Sequence, residues 1–213
     1  MPNRDKLLIL YSRLYEVYGP QHWWPAETAF EVMVGAVLTQ NTAWTNVEKA
    51  IANLKDAGKL ALKPMARMTD RRLARLIRPS GYFNLKAQRL KALCAWLQES
   101  GGVGKLRKIP TERLRPALLA VHGVGPETAD SILLYAFDRP VFVIDAYTRR
   151  LLKRLNFSEG NEPYEVLRSG FESALEPDPA MFNEFHALIV RHAKVKCQNT
   201  RVCRHCLVER PVK

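Results

Sequence analysis

Residues 118–130 read LLAVHGVGPETAD, and this stretch is the most informative part of the sequence for the fold. An apolar helix end runs into a Gly-Val-Gly turn, and a new helix opens on Pro126, a residue suited to a first helical turn. Gly123 and Gly125 permit backbone conformations closed to other residues and let the loop approach a ligand closely. The N–H groups that begin the second helix then form a site for an anion such as a phosphate. The stretch predicts either a phosphate-binding hairpin or an ordinary helical turn.

Outside the hairpin, apolar residues recur at helical spacing along almost the whole chain, and period-2 alternation is scarce. Glycine and proline breaks divide the sequence into about ten short helices. The stretch 30–38 (FEVMVGAVL) is apolar nearly all round, which predicts a central buried helix. We therefore expect an all-α fold.

Composition limits the classes of protein that the chain can be. Its 213 residues, 47% of them hydrophobic, can bury the core of one large domain or two small ones. The net charge of +12 is typical of a protein that binds a polyanion, although a basic surface can equally serve an anionic membrane or solubility. The apolar run 7–11 is too short to span a membrane, so we expect a cytoplasmic protein with no membrane partner.

A second informative stretch follows the hairpin, where residues 139–150 read RPVFVIDAYTRR. The apolar run VFVI brings Asp145 to the start of a helix whose first turn holds Thr148 and basic residues. Aspartate at such a position is most often a helix N-cap. A catalytic role for this carboxylate can coexist with the cap.

These stretches together resemble the helix-hairpin-helix DNA glycosylase superfamily, which includes endonuclease III. Three further segments carry the resemblance, namely LTQNT (38–42), GYFNLKA (81–87) and HALIV (186–190). The family implies a two-domain, all-α fold, with a contiguous helical domain over residues 21–135 and a second domain formed by residues 1–20 and 136–213. It also implies an active site in the cleft between the domains, Asp145 as the catalytic residue, and damaged double-stranded DNA as the partner. We expect a monomer associated with the nucleoid.

The hairpin also bears on the type of glycosylase. In bifunctional members of the family, a lysine two positions after the second glycine attacks the sugar and forms a Schiff base. This chain has Glu127 at that position, and a carboxylate cannot form an imine. The resemblance therefore implies a monofunctional enzyme, in which Asp145 stabilises an oxocarbenium-like sugar during hydrolysis.

Tryptophans suggest the substrate. Trp23, Trp24 and Pro25 precede the buried helix, and Trp44 follows the QNT turn. Aromatic rings can hold a cationic base by stacking and cation–π attraction, or they can simply anchor a core. The arrangement resembles the 3-methyladenine DNA glycosylase branch of the family, which implies that these four residues form the pocket for an alkylated purine.

Other residues are candidates for contact with the duplex. Gln40 occupies the family's wedge position, where a side chain fills the gap left by a flipped base. Lys86, Arg149 and Arg150 are candidate phosphate contacts, although such residues are often only solvated surface charges. The hairpin contributes the remaining candidates, which are Gly123, Val124, Gly125 and Thr128.

Three cysteines, Cys197, Cys203 and Cys206, lie near the end of the chain, and Cys94 stands apart. Endonuclease III holds an iron-sulfur cluster on four cysteines spaced C-x6-C-x2-C-x5-C. Here the first interval is one residue short and Val212 stands where the fourth cysteine would fall. We favour loss of the cluster, and catalysis by Asp145 needs no cofactor. A 4Fe-4S cluster completed by another ligand, or zinc held with His192 or His205, remains an alternative.

Two histidines and two further functions stay open. His122 and His186 are candidate acids or bases, but we favour a packing or capping role for both. The chain could instead be an endonuclease III-like bifunctional glycosylase and lyase acting on oxidised pyrimidines through another lysine. It could also be a DNA-binding module without activity, with a steep salt dependence and no base release.

Overall fold

The computed structural model describes residues 2–196, and this part of the chain is helical, with no β-strand. The chain divides into two compact units. One is Ala26–Phe137, which we call the hairpin unit, and the other combines Met1–Pro25 with Asp138–Lys213, which we call the aspartate unit. The prediction of an all-α, two-domain fold is confirmed. No helix among the described residues is long and apolar enough to span a membrane.

The hairpin unit is built around one buried helix, α2. Every residue from Phe30 to Leu38 in this helix is buried, as its apolar sequence predicts, and α2 packs against three later helices of the unit, namely α3, α6 and α9. The helices of the unit are α2 (Ala29–Leu38), α3 (Trp44–Asp56), α4 (Leu62–Ala66), α5 (Asp70–Leu76), α6 (Phe83–Glu99), α7 (Val103–Leu106), α8 (Thr111–Leu119) and α9 (Pro126–Phe137), with a 3-10 turn at Arg78–Ser80.

Helices α8 and α9 form the predicted hairpin, and an ion pair fastens them together. Arg115 on α8 donates from Nε to Asp130 Oδ1 at 2.7 Å and from Nη2 to Asp130 Oδ2 at 3.0 Å. Asp130 is fully buried, and the two parallel hydrogen bonds satisfy both of its oxygens. The loop between the two helices is therefore carried on a rigid base.

The aspartate unit contains α1 (Arg4–Tyr18), α10 (Ala146–Arg154), α11 (Tyr164–Ala174) and α12 (Pro179–Val195). Helix α12 packs against both α1 and α10. The core is aromatic, because Phe142 stacks on Phe171 with ring centroids 4.0 Å apart and meets Phe182 and Phe185 edge-on. Phe142 belongs to the extended run that leads into α10, so this core also fixes the start of that helix.

Candidate active site

Asp145 lies where a buried extended segment meets α10. Val141–Ile144 are at most 3% exposed, and side chains satisfy two of their backbone N–H groups. Phe142 N donates to Glu172 Oε1 at 2.9 Å, and Ile144 N donates to the Tyr164 hydroxyl at 3.4 Å. Both ends of the segment are therefore held, and the backbone that carries Asp145 has little freedom.

The carboxylate of Asp145 is the N-cap of α10. Its Oδ1 accepts a hydrogen bond from Thr148 N at 2.7 Å, while its backbone is extended, with φ −99° and ψ −179°. This is the capping role that the sequence suggested, and it leaves Oδ2 available for other contacts. The positive end of the α10 dipole also favours the ionised form of a carboxylate at this position.

His186 on α12 is an ionisable partner of Asp145. Its Nε2 lies 3.6 Å from Asp145 Oδ2, and the two side chains are only 8% and 14% exposed. Burial acts to raise the pKa of Asp145, but the His186 imidazole and the hydrogen bonds from Thr148 outweigh it and hold that pKa below its ordinary value. The site therefore contains an ionised, desolvated carboxylate at neutral pH.

The hairpin loop needs glycine at one of its two glycine positions for a clear steric reason. Gly123 has φ +83°, and a Cβ built there would lie 2.2 Å from Arg89 Cγ. Gly125 is exposed, and a Cβ there would meet no atom of the described residues within 4 Å. Val124 between them is 5% exposed and anchors the loop in the unit. Gly123 therefore serves the fold, and Gly125 leaves an open approach to the start of α9.

Gln40 braces the loop from inside the unit. Its Nε2 donates to Gly123 O and to Thr128 Oγ1, both at 2.9 Å, and its Oε1 accepts from Arg89 Nη1. Thr128 is 6% exposed. A wedge role for Gln40 and a DNA contact for Thr128 stay predictions, and in the protein without DNA both side chains bond to the protein. Arg89 was missed by the sequence analysis, because nothing marks an arginine on α6 as a partner of a distant loop.

Lys86 lies inside the hairpin unit, which differs from the phosphate contact expected of it. The residue is 1% exposed, and its Nζ donates to Leu38 O at 2.8 Å, Thr42 Oγ1 at 2.6 Å and Ser80 O at 2.7 Å. Burial lowers the pKa of its ammonium to about 8, and the charge of Arg89 adds to the effect. Lys86 is therefore an internal tie between the end of α2 and the QNT turn, and its ammonium is sealed from solvent.

The guanidinium groups of Arg149 and Arg150 both contact other residues of the aspartate unit. Arg149 Nη1 donates to Glu162 O at 2.7 Å and, more weakly, to Gly160 O at 3.4 Å. The Arg150 guanidinium lies 5.0 Å from the centroid of the Tyr147 ring. Arg149 thus fastens the loop after α10, and phosphate contacts by these two residues stay predictions.

The predicted base-pocket residues belong to both units. Trp23 and Trp24 are half-buried in the aspartate unit, with ring centroids 5.1 Å apart and planes inclined by 50°. Pro25, which follows them, is exposed. Trp44 is the first residue of α3 in the hairpin unit and is also half-buried. The two indoles of the first pair are adjacent but inclined, and a base pocket formed by these residues stays a prediction.

Tyr82 is an exposed aromatic residue that the sequence analysis did not single out. It is 70% exposed and has φ +43°, an uncommon conformation for a residue other than glycine. It precedes α6 and follows Ser80, whose carbonyl holds Lys86. The only signal in the sequence is an aromatic residue next to Gly81 at a helix start. The turn that carries the exposed ring is fixed by the hydrogen bonds of Ser80.

Position 127 and the metal candidates are the remaining residues that the sequence analysis singled out. Glu127 is exposed in the first turn of α9, and His122 is exposed in the loop before it. Cys197, Cys203, Cys206 and His205 lie outside the described residues. Within residues 2–196 there is no cluster of three or more metal-binding side chains.

The remaining cysteine, Cys94, lies in the hairpin unit. It is 1% exposed, and burial raises the pKa of its thiol to about 11. His192 is 1% exposed, and its Nδ1 pairs with the Tyr18 hydroxyl at 2.9 Å.

Comparisons with known proteins identify relatives along nearly the whole chain. A family model described as HhH-GPD superfamily base excision DNA repair protein matches residues 34–177. A protein of Methanocaldococcus jannaschii, provisionally named as a DNA repair glycosylase, is 45% identical over 203 residues, which are 94% of this chain and 92% of that protein.

Solved structures agree with the family match. The H. pylori 3-methyladenine DNA glycosylase MagIII, bound to 1,N6-ethenoadenine, is 33% identical, with a TM-score of 0.78 over 91% of this chain and 98% of that one. An endonuclease III–DNA complex is 19% identical, with a TM-score of 0.79 over 96% of each chain, and supports the fold.

Proposed function

The chain belongs to the HhH-GPD superfamily of base excision DNA repair proteins, and we propose that it is a monofunctional DNA glycosylase that releases alkylated purines such as 3-methyladenine. Its coarser assignment, a DNA glycosylase of base excision repair, follows from the family. The observation that carries the finer proposal is the buried, ionised carboxylate of Asp145 at the start of α10, combined with Glu127 in place of the nucleophilic lysine.

Asp145 supplies the charge that the reaction needs. As the bond between C1′ and the base nitrogen breaks, its electron pair leaves with the base, and positive charge develops on the sugar. An ionised carboxylate in a desolvated site stabilises that charge more strongly than it would in water. Water then bonds to C1′, and Asp145 accepts the proton that the water loses. The products are free base and an abasic site in an intact strand.

Position 127 supports hydrolysis without a lyase step. Schiff-base formation requires a neutral amine within reach of C1′, and the family position for that amine carries the exposed carboxylate of Glu127. Lys86, a lysine with a lowered pKa, is sealed inside the hairpin unit by three hydrogen bonds. Neither Glu127 nor Lys86 therefore provides an amine that could attack C1′.

The alkylated-purine substrate is supported by charge and by the relatives. An N3-alkylated adenine is cationic and leaves as a neutral base, so one carboxylate suffices and no general acid is required. The adjacent rings of Trp23 and Trp24 provide stacking and cation–π attraction, each contact contributing about 0.5–2 kcal/mol. MagIII, which is 33% identical, is a 3-methyladenine DNA glycosylase.

Damaged double-stranded DNA is the proposed partner, bound by a monomer. The exposed Gly125 lets a phosphate approach the first N–H groups of α9. The exposed ring of Tyr82 is available to stack between bases once one base has left the helix. The net charge of +12 favours the duplex electrostatically. No step of this chemistry requires a metal or a cluster.

Base release from a panel of lesions tests the proposal. Duplexes containing 3-methyladenine, 1,N6-ethenoadenine or thymine glycol are incubated with the protein, and released bases are separated by chromatography. We expect 3-methyladenine to be released and thymine glycol to be retained. Release of thymine glycol together with strand cleavage would instead support an endonuclease III-like activity. Binding without release from any duplex would support a non-catalytic DNA-binding module.

The Glu127→Lys variant tests the assignment of position 127. It restores an amine to the family's lysine position, so borohydride should trap a covalent protein–DNA adduct with this variant and none with the wild-type protein. A trapped adduct with the wild-type protein would contradict a monofunctional mechanism. Glu112→Lys, a carboxylate in the first turn of α8, is the matched control because it adds the same charge outside the hairpin turn.

A further inference from the structure

The two oxygens of Asp145 have different surroundings. Oδ1 accepts the Thr148 N–H at 2.7 Å as part of the helix cap. Oδ2 faces Nε2 of His186 at 3.6 Å, and both side chains are largely shielded from water. A helix cap needs only one oxygen, so the contact on Oδ2 is additional to what the fold of α10 requires.

The same core that fixes Asp145 also fixes His186. The imidazole lies edge-on to Phe142, with ring centroids 6.5 Å apart and planes at 83°. Phe142 lies three residues before Asp145 in the buried extended segment. Helix α12, which carries His186, packs along α10, whose first turn Asp145 caps. The imidazole is therefore held against the carboxylate by packing on both sides.

We propose that His186 is the positioning residue of Asp145, a role that rests on the proposed glycosylase function. An ionised carboxylate can only accept hydrogen bonds, so the Nε2 that faces it carries the proton. Thr148 N–H holds Oδ1. Nε2–H, which at 3.6 Å is beyond hydrogen-bond distance in the protein without DNA, closes on Oδ2 in the reacting complex and fixes the plane of the carboxylate toward the place where the sugar becomes positive. Contacts of this kind are often long without substrate and shorten in the reacting complex.

The electrostatics of the pair agree with this arrangement. Burial by itself would raise the pKa of Asp145, and the imidazole contributes to reversing that effect. A carboxylate that stays ionised in a dry site is the form that stabilises an oxocarbenium-like sugar. The sequence alone favoured packing for His186, since the chain order does not reveal that α12 meets the start of α10.

Three substitutions separate a positioning role from packing. His186→Gln retains an N–H donor at about the distance of Nε2 from the backbone. His186→Asn retains a donor only at the Nδ1 distance, and His186→Phe retains a flat ring against Phe142 but no donor. A residue needed only for packing should tolerate Phe best, whereas a positioning residue should tolerate Gln best.

The measurement is the single-turnover rate of 3-methyladenine release, together with the DNA dissociation constant and the Tm of each variant. We expect the Phe and Asn variants to lose about ten- to a hundredfold in rate, the effect of losing a hydrogen bond to a charged group, with DNA affinity unchanged. The Gln variant should retain most of the rate. Wild-type rates in all three variants, or equal losses that follow a lowered Tm, would overturn the proposal.

A second measurement distinguishes failure of this proposal from failure of the proposed function. If the wild-type protein released no base from any lesion, the function would be wrong, and the carbon NMR signal of the Asp145 carboxyl would still report on His186. We expect the pKa of Asp145 to rise in His186→Phe relative to the wild-type protein, because burial is then less opposed. An unchanged pKa in this variant would overturn the positioning role.

Discussion

In the proposed mechanism, Asp145 combines two roles in one side chain. Its Oδ1 caps α10 through Thr148, and its Oδ2 remains for the proposed chemistry and for His186. An N-cap places the carboxylate at the positive end of the helix dipole, which favours the same ionised form that catalysis requires. Stability and reactivity at this residue therefore depend on the same charge.

The ionisation of Asp145 predicts how stability depends on pH. The folded pKa lies below the value of about 3.9 in an unfolded chain, so ionised Asp145 stabilises the fold fully above that value, and the effect is lost as pH falls through the folded pKa. The stability difference between the wild-type protein and Asp145→Asn should narrow between pH 5 and pH 3, as measured by urea unfolding. Asp56→Asn, at an exposed aspartate, controls for general acid effects. A difference that widens toward pH 3 would mean that burial dominates and the folded pKa is raised.

Tyr82 leads to a prediction about DNA affinity. Its ring is 70% exposed, so Tyr82→Ala should leave the Tm almost unchanged. If the ring stacks on bases, the variant should bind damaged duplex about tenfold or more weakly, since such a contact contributes about 1–3 kcal/mol. Fluorescence anisotropy with a labelled duplex measures this. Tyr15→Ala removes another exposed tyrosine, 42% exposed on α1, and should bind normally. Equal DNA affinity in the two variants would show that Tyr82 does not contact DNA.

At the scale of elements, the α8–α9 hairpin is fastened by contacts that its own sequence does not contain. Gln40, two residues after α2, donates to Gly123 O in the loop, and Arg89 on α6 donates to Gln40. The Arg115–Asp130 pair lies within the hairpin itself. The loop is therefore held by its whole unit, which would keep its geometry fixed in the proposed phosphate contact.

Substitution by alanine should have different effects at the two glycines of the hairpin. Gly123→Ala should destabilise the protein by about 1–3 kcal/mol, because φ is +83° and Arg89 occupies the space of the new Cβ. Gly125→Ala should change stability by about 0.5 kcal/mol or less, since its Cβ meets nothing within 4 Å among the described residues, yet it should weaken DNA binding by crowding the phosphate. Urea unfolding and anisotropy separate the two effects. Normal DNA affinity in Gly125→Ala would contradict the hairpin contact.

Local sequence patterns predicted the helices and the turn well. Where the structure gives a residue a different role from the predicted one, the cause is burial by parts of the chain that are distant in sequence. The Gly-Val-Gly turn, the buried helix α2 and the cap at Asp145 depend on neighbours in sequence, so they could be read directly. The internal role of Lys86 could not be predicted in this way. A lysine on a helix is usually an exposed charge, and only the folded structure brings the oxygens of Leu38, Thr42 and Ser80 around its Nζ. The pairing of His186 with Asp145 requires the packing of α12 on α10 in the same way.

At the scale of the molecule, charge should govern how the protein meets DNA. An excess of 12 positive charges favours binding to undamaged duplex through phosphate contacts and release of counterions. Affinity for an undamaged duplex should fall by about tenfold or more between 50 and 200 mM salt, as seen by anisotropy. Affinity independent of salt would contradict a phosphate-based contact.

The central claim is that this protein hydrolyses the bond between sugar and alkylated purine with Asp145 and forms no covalent link to DNA. Single-turnover reaction of a duplex containing one 3-methyladenine tests it most directly, with released base and strand integrity measured in the same sample. We predict free base and an uncleaved abasic strand with the wild-type protein, and a rate reduced by about a hundredfold or more in Asp145→Asn at unchanged DNA affinity. Undiminished release by Asp145→Asn, or strand cleavage by the wild-type protein, would contradict the claim.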